Sequence, residues 1–357
     1  MNWPSLRSLV HLLLSVTLAA AFLSGCITDL FYIPGSIEEE MQKAVEGKFD
    51  GMIVFVNQSG KSSFYSAGFN NREKQIPAHP HDLFKIASIS KLYMAAATTK
   101  LVASGELELE QTLVELIPEV GNRIAYADQI TLRMMLSHRS GIPEFIYEAE
   151  YESGTSESYM ATAQLVFGKP ADFKPNKKYA YSNTNYLLLG EILDRTLGYS
   201  HHEFIRNKLL IPLGLDETYS LYSEVDSNKV MSGYLMDWEP DLKSWDHTRP
   251  GGSMIATAED VGTFLRTLID SSFFNDKEQA IYSSVYAYEH TGWLPGYTSI
   301  ARYHSDIDAV VVQFVNTSGK EIFWLKLESV YNRIVSVVER NQLNINNDET
   351  IPKHNIR

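Results

Sequence analysis

Residues 84–105 read FKIASISKLYMAAATTKLVASG, and this stretch organises the rest of the chain. The pattern predicts a helix that begins near Ser88 and runs through an alanine-rich segment to Ser104. It is expected to stop at Gly105, because alanine favours helix and glycine often ends one. Ser88 and Lys91 are three residues apart, so they lie on one helix face about one turn apart. The amine of Lys91 can therefore reach the hydroxyl of Ser88.

Such a pair can form an activated nucleophile. A serine hydroxyl attacks poorly until a base takes its proton, and lysine acts as that base only where burial or a neighbouring charge lowers its pKa. Backbone amides at a helix start are also suited to stabilising an oxyanion. The spacing alone carries little weight, since it arises by chance about once in a chain of this size. A helix-capping serine followed by a solvated lysine has the same sequence.

Strands are expected near both ends of the chain. Residues 52–57 and 62–69 are rich in β-forming residues and predict one antiparallel hairpin, and residues 298–304 and 309–316 predict a second. A final helix is expected from about Lys320 to Arg340, because apolar residues recur there at three- and four-residue spacings. The centre of the chain is mostly helical in pattern.

Helix ends are marked by local signals. Capping sequences that begin at Ser36 and Thr257 predict two helix starts, since each places an acidic residue three positions after the hydroxyl. Helix stops are expected at Gly105, Gly198 and Pro212.

Neither hairpin can bury its apolar face alone. The economical arrangement is one sheet built from both ends of the chain with the helical centre inserted. The predicted fold class is α+β, an antiparallel sheet flanked by helices with an inserted, mainly helical region. We expect one domain over residues 37–340, with its sheet region at about 37–95 and 250–340 and its helical region at about 96–249. A cleft between the two regions is a natural active site.

The amino-terminal segment predicts export. Arg7 and the free amino terminus precede an apolar run over residues 9–23, which is short for a membrane span and typical of a signal peptide. The run ends in Leu23-Ser24-Gly25-Cys26, which resembles the lipobox of bacterial lipoproteins, and Cys26 is the only cysteine. We expect a signal peptide over residues 1–25, a lipid on the Cys26 thiol, a linker over 26–36 and a tail over 341–357. A plain signal peptide with a chance cysteine is the alternative.

The amino-terminal segment and the net charge limit where the protein is located and which partners it has. A lipid on Cys26 would place the protein in a bacterial cell envelope, on the periplasmic or outer-membrane side, with the membrane as its partner. The chain has 44 acidic and 31 basic residues and no basic cluster, so electrostatic capture of nucleic acid is not expected.

Two further motifs carry reactive groups. Tyr181-Ser182-Asn183 lies between a polar loop and a helical run, and two-residue alternation points Tyr181 and Asn183 the same way in an extended segment. Tyr181 can then shuttle a proton while Asn183 orients the lysine and the substrate. His290-Thr291-Gly292 precedes the first strand of the second hairpin. Its glycine would let a substrate lie against a sheet edge, and the amide of Trp293 would complete an oxyanion hole with that of Ser88.

The three motifs, in this order, resemble those of the serine β-lactamase and penicillin-binding-protein superfamily. The Tyr-x-Asn form is similar to the branch with class C β-lactamases, D-Ala-D-Ala carboxypeptidases and related esterases and D-amino-acid peptidases. Further family landmarks lie at residues 84–87, 136–143, 212–215 and 251–252. The resemblance implies a β-lactamase/transpeptidase-like fold and acylation of Ser88, with protons moved by Lys91 and Tyr181. It also implies that the substrate is contacted by Asn183, His290, Thr291 and Gly292. It implies no metal and no cofactor.

The third motif departs from the Lys-Thr-Gly that is usual in β-lactamases. An imidazole with an ordinary pKa of ~6.5 is largely neutral at pH 7 and would hold a substrate carboxylate less firmly than lysine. The expected substrate is therefore an ester or a small D-amino-acid peptide or amide, ahead of a β-lactam. Three tryptophans near the expected cleft could contact apolar acyl groups, and buried packing is expected for at least some of them: Trp238, Trp245 and Trp293.

Three other interpretations compete with this one. His79-Pro80-His81-Asp82 faintly resembles the start of a metallo-β-lactamase site, although the rest of that pattern is missing. A Ser-His-Asp triad is another, but no Gly-x-Ser-x-Gly elbow occurs, and His138 is interpreted as a packed loop residue. His201 and His202 are interpreted as solvated. A non-catalytic or slow-turnover lipoprotein that senses penicillin or cell-wall peptide is the alternative from another class.

Overall fold

The computed structural model describes residues 34–148 and 158–350. Its helices are α1 (Ile37–Glu46), α2 (Ser90–Ser104), α3 (Leu113–Leu116), α4 (Leu132–Leu136), α5 (Tyr159–Ala163), α6 (Asn183–Leu197), α7 (His201–Ile205), α8 (Ile211–Leu213), α9 (Ala258–Ile269), α10 (Asp276–Val285) and α11 (Glu321–Thr350). Its strands are β1 (Gly51–Gln58), β2 (Lys61–Asn71), β3 (Ile76–Pro77), β4 (Phe84–Lys85), β5 (Thr218–Tyr219), β6 (Tyr234–Leu235), β7 (Ile255–Ala256), β8 (Glu289–Leu294), β9 (Tyr297–His304), β10 (Ala309–Val315) and β11 (Thr317–Ser318).

The main sheet joins the two ends of the chain, as expected. Its strand order is β3-β2-β1-β10-β9-β8, and every neighbouring pair is antiparallel. The two predicted hairpins are β1–β2 and β9–β10, and they meet where Val54 of β1 lies opposite Gln313 of β10. Closing this seam brings residues about 260 positions apart into register, and it places β1 and β10 at the centre of the sheet.

Both faces of the sheet are covered. Met52, Val54 and Val56 of β1 face one core, which also contains the apolar sides of α1 and α11. Ile53 and Phe55 face the other core, beneath α2 and α9. Because alternate side chains of a strand point to opposite faces, a strand between two cores has no polar side. The sheet is therefore the middle layer of three.

The inserted region, residues 96–249, is mainly helical and packs on the α2 side of the sheet. A second, small sheet of order β4-β7-β5 connects it to the rest of the molecule. Phe84 of β4 pairs with Ala256 of β7, and the chain then turns directly into the segment that carries Ser88. The entrance to α2 is thus held by a strand pair.

Local signals predicted four helix ends correctly. Ser36 and Thr257 accept the expected backbone amides, and Gly105 and Gly198 end their helices in the left-handed conformation at φ 85° and 73°. The stop at Pro212 is wrong, because Pro212 lies in the first turn of α8, where a missing N–H costs little. A π-helical turn, Arg206–Leu210, precedes α8. Helix α8 ends at Gly214.

The final helix is longer than expected. Residues 341–350, predicted as a tail, continue α11 beyond Arg340. No glycine or proline occurs between Arg340 and Thr350 to interrupt the backbone hydrogen bonds.

The amino-terminal predictions, including Cys26, fall on residues 1–33 and lie outside the described residues. In the part of the chain that the structure describes, no helix combines the length and the apolar character needed to cross a membrane.

Candidate active site

Ser88 does not lie in the helix itself. It occupies a single 3-10 turn, Ala87–Ile89, immediately before α2. Ala87 has φ 53°, a left-handed conformation that is unfavourable for a residue with a side chain. The hydroxyl of Ser90 holds the turn, since it donates to the Ala87 carbonyl at 2.6 Å and accepts from the Met254 amide at 3.2 Å. Sequence reasoning assigned no role to Ser90.

Lys91 is completely buried and has three polar contacts. Its Nζ lies 3.0 Å from Ser88 Oγ, 2.8 Å from Asn183 Oδ1 and 2.8 Å from the carbonyl oxygen of Gly251. Burial lowers its pKa to about 7, and the charge of Glu144 partly opposes this. A neutral amine has two N–H groups and one lone pair. With the N–H groups directed at Asn183 and Gly251, the lone pair faces the Ser88 hydroxyl.

Tyr181 contacts the same serine oxygen from another side. Its hydroxyl donates to Ser88 Oγ at 2.8 Å, although 37% of the side chain is exposed. Burial of the hydroxyl end raises the pKa of Tyr181, so the phenol keeps its proton at neutral pH. Ser182 is extended and Asn183 begins α6. The structure therefore brings together Ser88, Lys91, Tyr181 and Asn183.

The loop residue His138 holds Tyr181 in place. Its imidazole stacks on the Tyr181 ring with centroids 4.4 Å apart, and its Nδ1 accepts the Ser182 amide at 3.2 Å. His138 is buried, as expected for a packed loop residue, and burial lowers its pKa to about 3. Its contact with Tyr181 was not predicted, since 43 residues separate the two in sequence.

His290 lies on β8 at the edge of the site. Its ring centroid is 6.1 Å from that of Tyr181 and 6.1 Å from that of Tyr286, and the ring is nearly parallel to that of Tyr286. Burial and the nearby Lys91 charge lower the pKa of His290 to about 3, so the imidazole is neutral at pH 7. Thr291 follows it on the same strand. The site thus has no cation at the position of the third-motif lysine.

Gly292 lies against the turn that carries Ser88. A Cβ at this position would lie 2.2 Å from Ser299 Oγ, 2.5 Å from the Ile86 carbonyl oxygen and 3.0 Å from the Ala87 Cβ. The glycine therefore lets β8 pack directly against the turn that carries Ser88. That the glycine also lets a substrate lie against the sheet edge stays a prediction.

A small cavity opens beside Ser88. Its volume is about 90 Å³, and its wall is largely apolar: Phe145, Ile146, Leu187, Pro250, Trp293 and Leu294. Asn183, His247, Arg249, Gly251 and Gly252 complete it. Trp293 is half-exposed and lines the cavity, whereas Trp238 and Trp245 are half-exposed and do not. Buried packing is therefore wrong for all three tryptophans, and contact of Trp293 with an acyl group stays a prediction. A cavity of about 510 Å³ elsewhere lacks all the motif residues.

His79, His81 and His201 do not line the cavity beside Ser88. The His79 and His81 rings are 5.5 Å apart, and His81 Nδ1 lies 3.3 Å from a Glu259 carboxylate oxygen. Within residues 34–148 and 158–350 no three His, Cys, Asp or Glu side chains are grouped as a metal ion would require. His201 is fully buried, with Nδ1 2.7 Å from Asp194, so its interpretation as solvated is wrong.

Comparisons with known proteins indicate the family of this chain. The family model described as Beta-lactamase matches residues 36–323. "Protein flp" of Staphylococcus aureus (strain COL) is 26% identical over 238 residues, which are 64% of this chain and 47% of that protein. "Penicillin-binding protein 4*" of Bacillus subtilis (strain 168) is 25% identical over 207 residues, 57% of this chain and 45% of that protein. The chain thus spans about half the length of these curated relatives.

Solved structures of similar fold cover nearly the whole described chain. The D-amino acid amidase from Ochrobactrum anthropi SV3, complexed with L-phenylalanine amide, has a TM-score of 0.75 at 22% identity and covers 86% of this chain and 98% of its own. The class C β-lactamase from Rhodobacter sphaeroides has a TM-score of 0.69 at 16% identity, covering 87% and 100%. The fold is the β-lactamase/transpeptidase-like fold of a serine hydrolase superfamily. With its family model matched from residue 36 to residue 323, the chain belongs to the Beta-lactamase family.

Proposed function

We propose that this protein is a serine hydrolase that acts through an acyl-enzyme on Ser88, on esters or on small D-amino-acid amides or peptides. The observation that carries the proposal is the buried amine of Lys91, whose pKa is lowered to about 7 and whose Nζ lies 3.0 Å from Ser88 Oγ. A base poised near neutral pH is what serine activation requires.

Acylation follows from the contacts of Ser88. Neutral Lys91 takes the hydroxyl proton as Oγ bonds to the substrate carbonyl carbon, and the carbonyl oxygen becomes an oxyanion. The amides of Ser88 and Trp293 are the proposed donors to that oxyanion. Tyr181 then gives its proton to the leaving oxygen or nitrogen, and the proton on Lys91 replaces it. The carbon–leaving-group bond breaks, and an ester on Ser88 remains.

Deacylation uses the same groups in reverse. A water molecule loses a proton to the Lys91–Tyr181 pair as its oxygen bonds to the acyl carbon. Ser88 Oγ leaves and recovers a proton from that pair, so that the product acid is released and the site returns to its starting state. The Lys91 and Tyr181 contacts with one serine oxygen, at 3.0 and 2.8 Å, support this shared role.

The position of the cavity supports separate binding places for the acyl group and the leaving group of the substrate. Tyr181 and His290 do not line the cavity of about 90 Å³, whereas Ser88 and Trp293 do. Because Tyr181 protonates the leaving group, that group lies on the Tyr181 side and the acyl group enters the cavity. The apolar wall suits a small apolar acyl group. Neutral His290 offers no fixed charge to a substrate carboxylate, which ranks β-lactams below esters and amides.

A slow-turnover penicillin-binding lipoprotein is the second candidate. Two observations favour it: one curated relative is named a penicillin-binding protein, and no carboxylate contacts Ser88 among the described residues. Such a protein would form the same acyl-enzyme and keep it. The two candidates differ in deacylation rate and in the class of compound that acylates Ser88.

The test is labelling followed by turnover. Wild type and Ser88→Ala are exposed to a fluorophosphonate and to a labelled penicillin, and the modified peptide is identified by mass spectrometry. Turnover is then measured with p-nitrophenyl esters, D-phenylalanine amide, D-Ala-D-Ala peptides and nitrocefin. Failure of both reagents to label Ser88 contradicts the proposal. Persistent labelling without turnover selects the sensor, and rapid nitrocefin turnover reverses the substrate ranking.

We also propose that a lipid on Cys26 tethers the domain to the cell envelope. Metabolic labelling with a palmitate analogue and membrane fractionation test this: wild type should carry label and sediment with membranes, while Cys26→Ala should do neither. An unlabelled wild type contradicts the proposal.

A further inference from the structure

Glu144 lies behind the proposed catalytic residues and is absent from the three motifs. It follows Pro143 in the loop after α4 and precedes a short 3-10 turn, Phe145–Tyr147. Its side chain is partly buried. One carboxylate oxygen, Oε2, accepts both the backbone amide of Asn183 at 2.5 Å and the side-chain Nδ2 of Asn183 at 3.0 Å. The other, Oε1, accepts the Ile146 amide at 3.2 Å.

These contacts decide which way the Asn183 amide faces. An ionised carboxylate only accepts hydrogen bonds, so it requires the NH2 group of Asn183 on its side. The Asn183 Oδ1 is then directed at Lys91 Nζ, 2.8 Å away. Turning the amide over would set its oxygen against the Glu144 carboxylate and its NH2 group against Lys91. Glu144 therefore fixes the acceptor that orients the Lys91 amine.

Glu144 also contributes charge. Its carboxylate raises the pKa of Lys91, while burial of Lys91 lowers it. Burial likewise raises the pKa of Glu144, and the Asn183 donors and Lys91 oppose that shift. The other titratable groups near Lys91 are Tyr181, Tyr186, His138 and His290. Of these, both imidazoles are neutral at pH 7 and both phenols have raised pKa values. Glu144 is thus the one carboxyl group among these facing groups.

We infer that Glu144 is a positioning residue that acts on Ser88 through Asn183 and Lys91. The inference rests on the proposed function, because it assumes that Lys91 is the base. The loop of residues 144–148 then has two functions: Phe145 and Ile146 line the cavity, and Glu144 orients Asn183.

The experiment compares Glu144→Gln and Glu144→Ala with wild type and with Glu148→Gln. Glu148 is the matched control, since its carboxylate lies in the same loop and pairs with Lys169. The rate of fluorophosphonate labelling of Ser88 is measured from pH 5 to 9, and kcat and KM are measured separately with a p-nitrophenyl ester. Thermal unfolding of each variant checks the fold.

Glu144→Gln removes the anion and keeps an acceptor oxygen for Asn183. The acid limb of the labelling rate should move to lower pH, because a Lys91 without this neighbour loses its proton more readily. Glu144→Ala should lower kcat at pH 7 by about 10-fold or more with KM changed less than about threefold, since Asn183 loses its orientation. Glu148→Gln should leave both the acid limb and kcat unchanged.

The outcomes separate this inference from the function on which it rests. If wild type does not label at Ser88, the proposed function fails. If wild type labels and both folded Glu144 variants keep its acid limb and its kcat, the function stands and the role of Glu144 is refuted. A poorly folded Glu144→Ala leaves the decision to the acid limb of Glu144→Gln, which a purely structural role would not move.

Discussion

The Nζ of Lys91 lies 2.8 Å from the carbonyl oxygen of Gly251, a residue 160 positions further along the chain. This contact joins α2 to the segment before β7 and gives the buried amine an uncharged acceptor in place of a counterion. A buried lysine that is held by carbonyl oxygens loses its proton more easily than one held by a carboxylate. The proposed base, Lys91, is therefore held by an uncharged backbone carbonyl, and burial keeps its pKa low.

The pH dependence of acylation tests this preparation. Because burial lowers the pKa of Lys91 to about 7, the reactive neutral form is a minority below pH 7 and the majority above it. The rate of Ser88 labelling should rise through about pH 7 and then level off. Labelling over a pH series measures it, and a rate that is flat between pH 5 and 9 would contradict the assignment of Lys91 as base.

Lys91→Ala should lower kcat/KM for a p-nitrophenyl ester by about 10²–10⁴-fold, since general-base catalysis contributes that much. Lys100→Ala is the control, because Lys100 lies on the same helix and pairs with Glu278 away from the site. The expected effect of the control is less than about twofold. Equal losses in both variants would indicate damage to α2 instead of lost chemistry.

Tyr181→Phe removes the hydroxyl 2.8 Å from Ser88 Oγ and keeps the ring that stacks on His138. We expect kcat to fall by about 10²-fold or more, because the hydroxyl proposed to protonate the leaving group is lost. The melting temperature should change little. Tyr179→Phe is a suitable control, since Tyr179 is 61% exposed and its ring also lies near His138. Full activity of Tyr181→Phe would remove the tyrosine from the mechanism.

Gly292→Ala should destabilise the protein by about 1–3 kcal/mol, because the added methyl group overpacks the contact with the Ile86 carbonyl and Ser299. The displaced turn should also slow labelling of Ser88. Gly252→Ala is the control for stability, since its Cβ would have no neighbour closer than 3.8 Å. Urea unfolding of both variants gives the comparison, and equal stabilities would show that β8 can shift without cost.

His290→Lys tests why this chain is ranked below the β-lactamases for β-lactam substrates. A lysine on β8 would supply the cation that neutral His290 lacks. The ratio of penicillin acylation to ester acylation should rise by about 10-fold, since a charged hydrogen bond is worth about 1.5–3 kcal/mol. Stopped-flow acylation with both substrates measures the ratio. An unchanged ratio would mean that another group binds the carboxylate of the penicillin.

Sequence reasoning succeeded where the signal is local or periodic. The β-rich runs became β1–β2 and β9–β10 because two-residue alternation and turn residues act over a few positions. Ser88 and Lys91 met as predicted because three residues span one helical turn. Pro212 failed as a stop, since proline is tolerated in the first turn of a new helix.

By itself, the sequence determined the two hairpins near the ends of the chain, the mainly helical centre, the three motifs and the superfamily that they indicate. Tertiary structure alone decided how those motifs act. The depressed pKa of Lys91 arises from burial. The orientation of the Asn183 side-chain amide arises from Glu144, 39 residues earlier in the chain. Neither has a local pattern, because desolvation and hydrogen-bond direction depend on atoms that only the folded chain brings together.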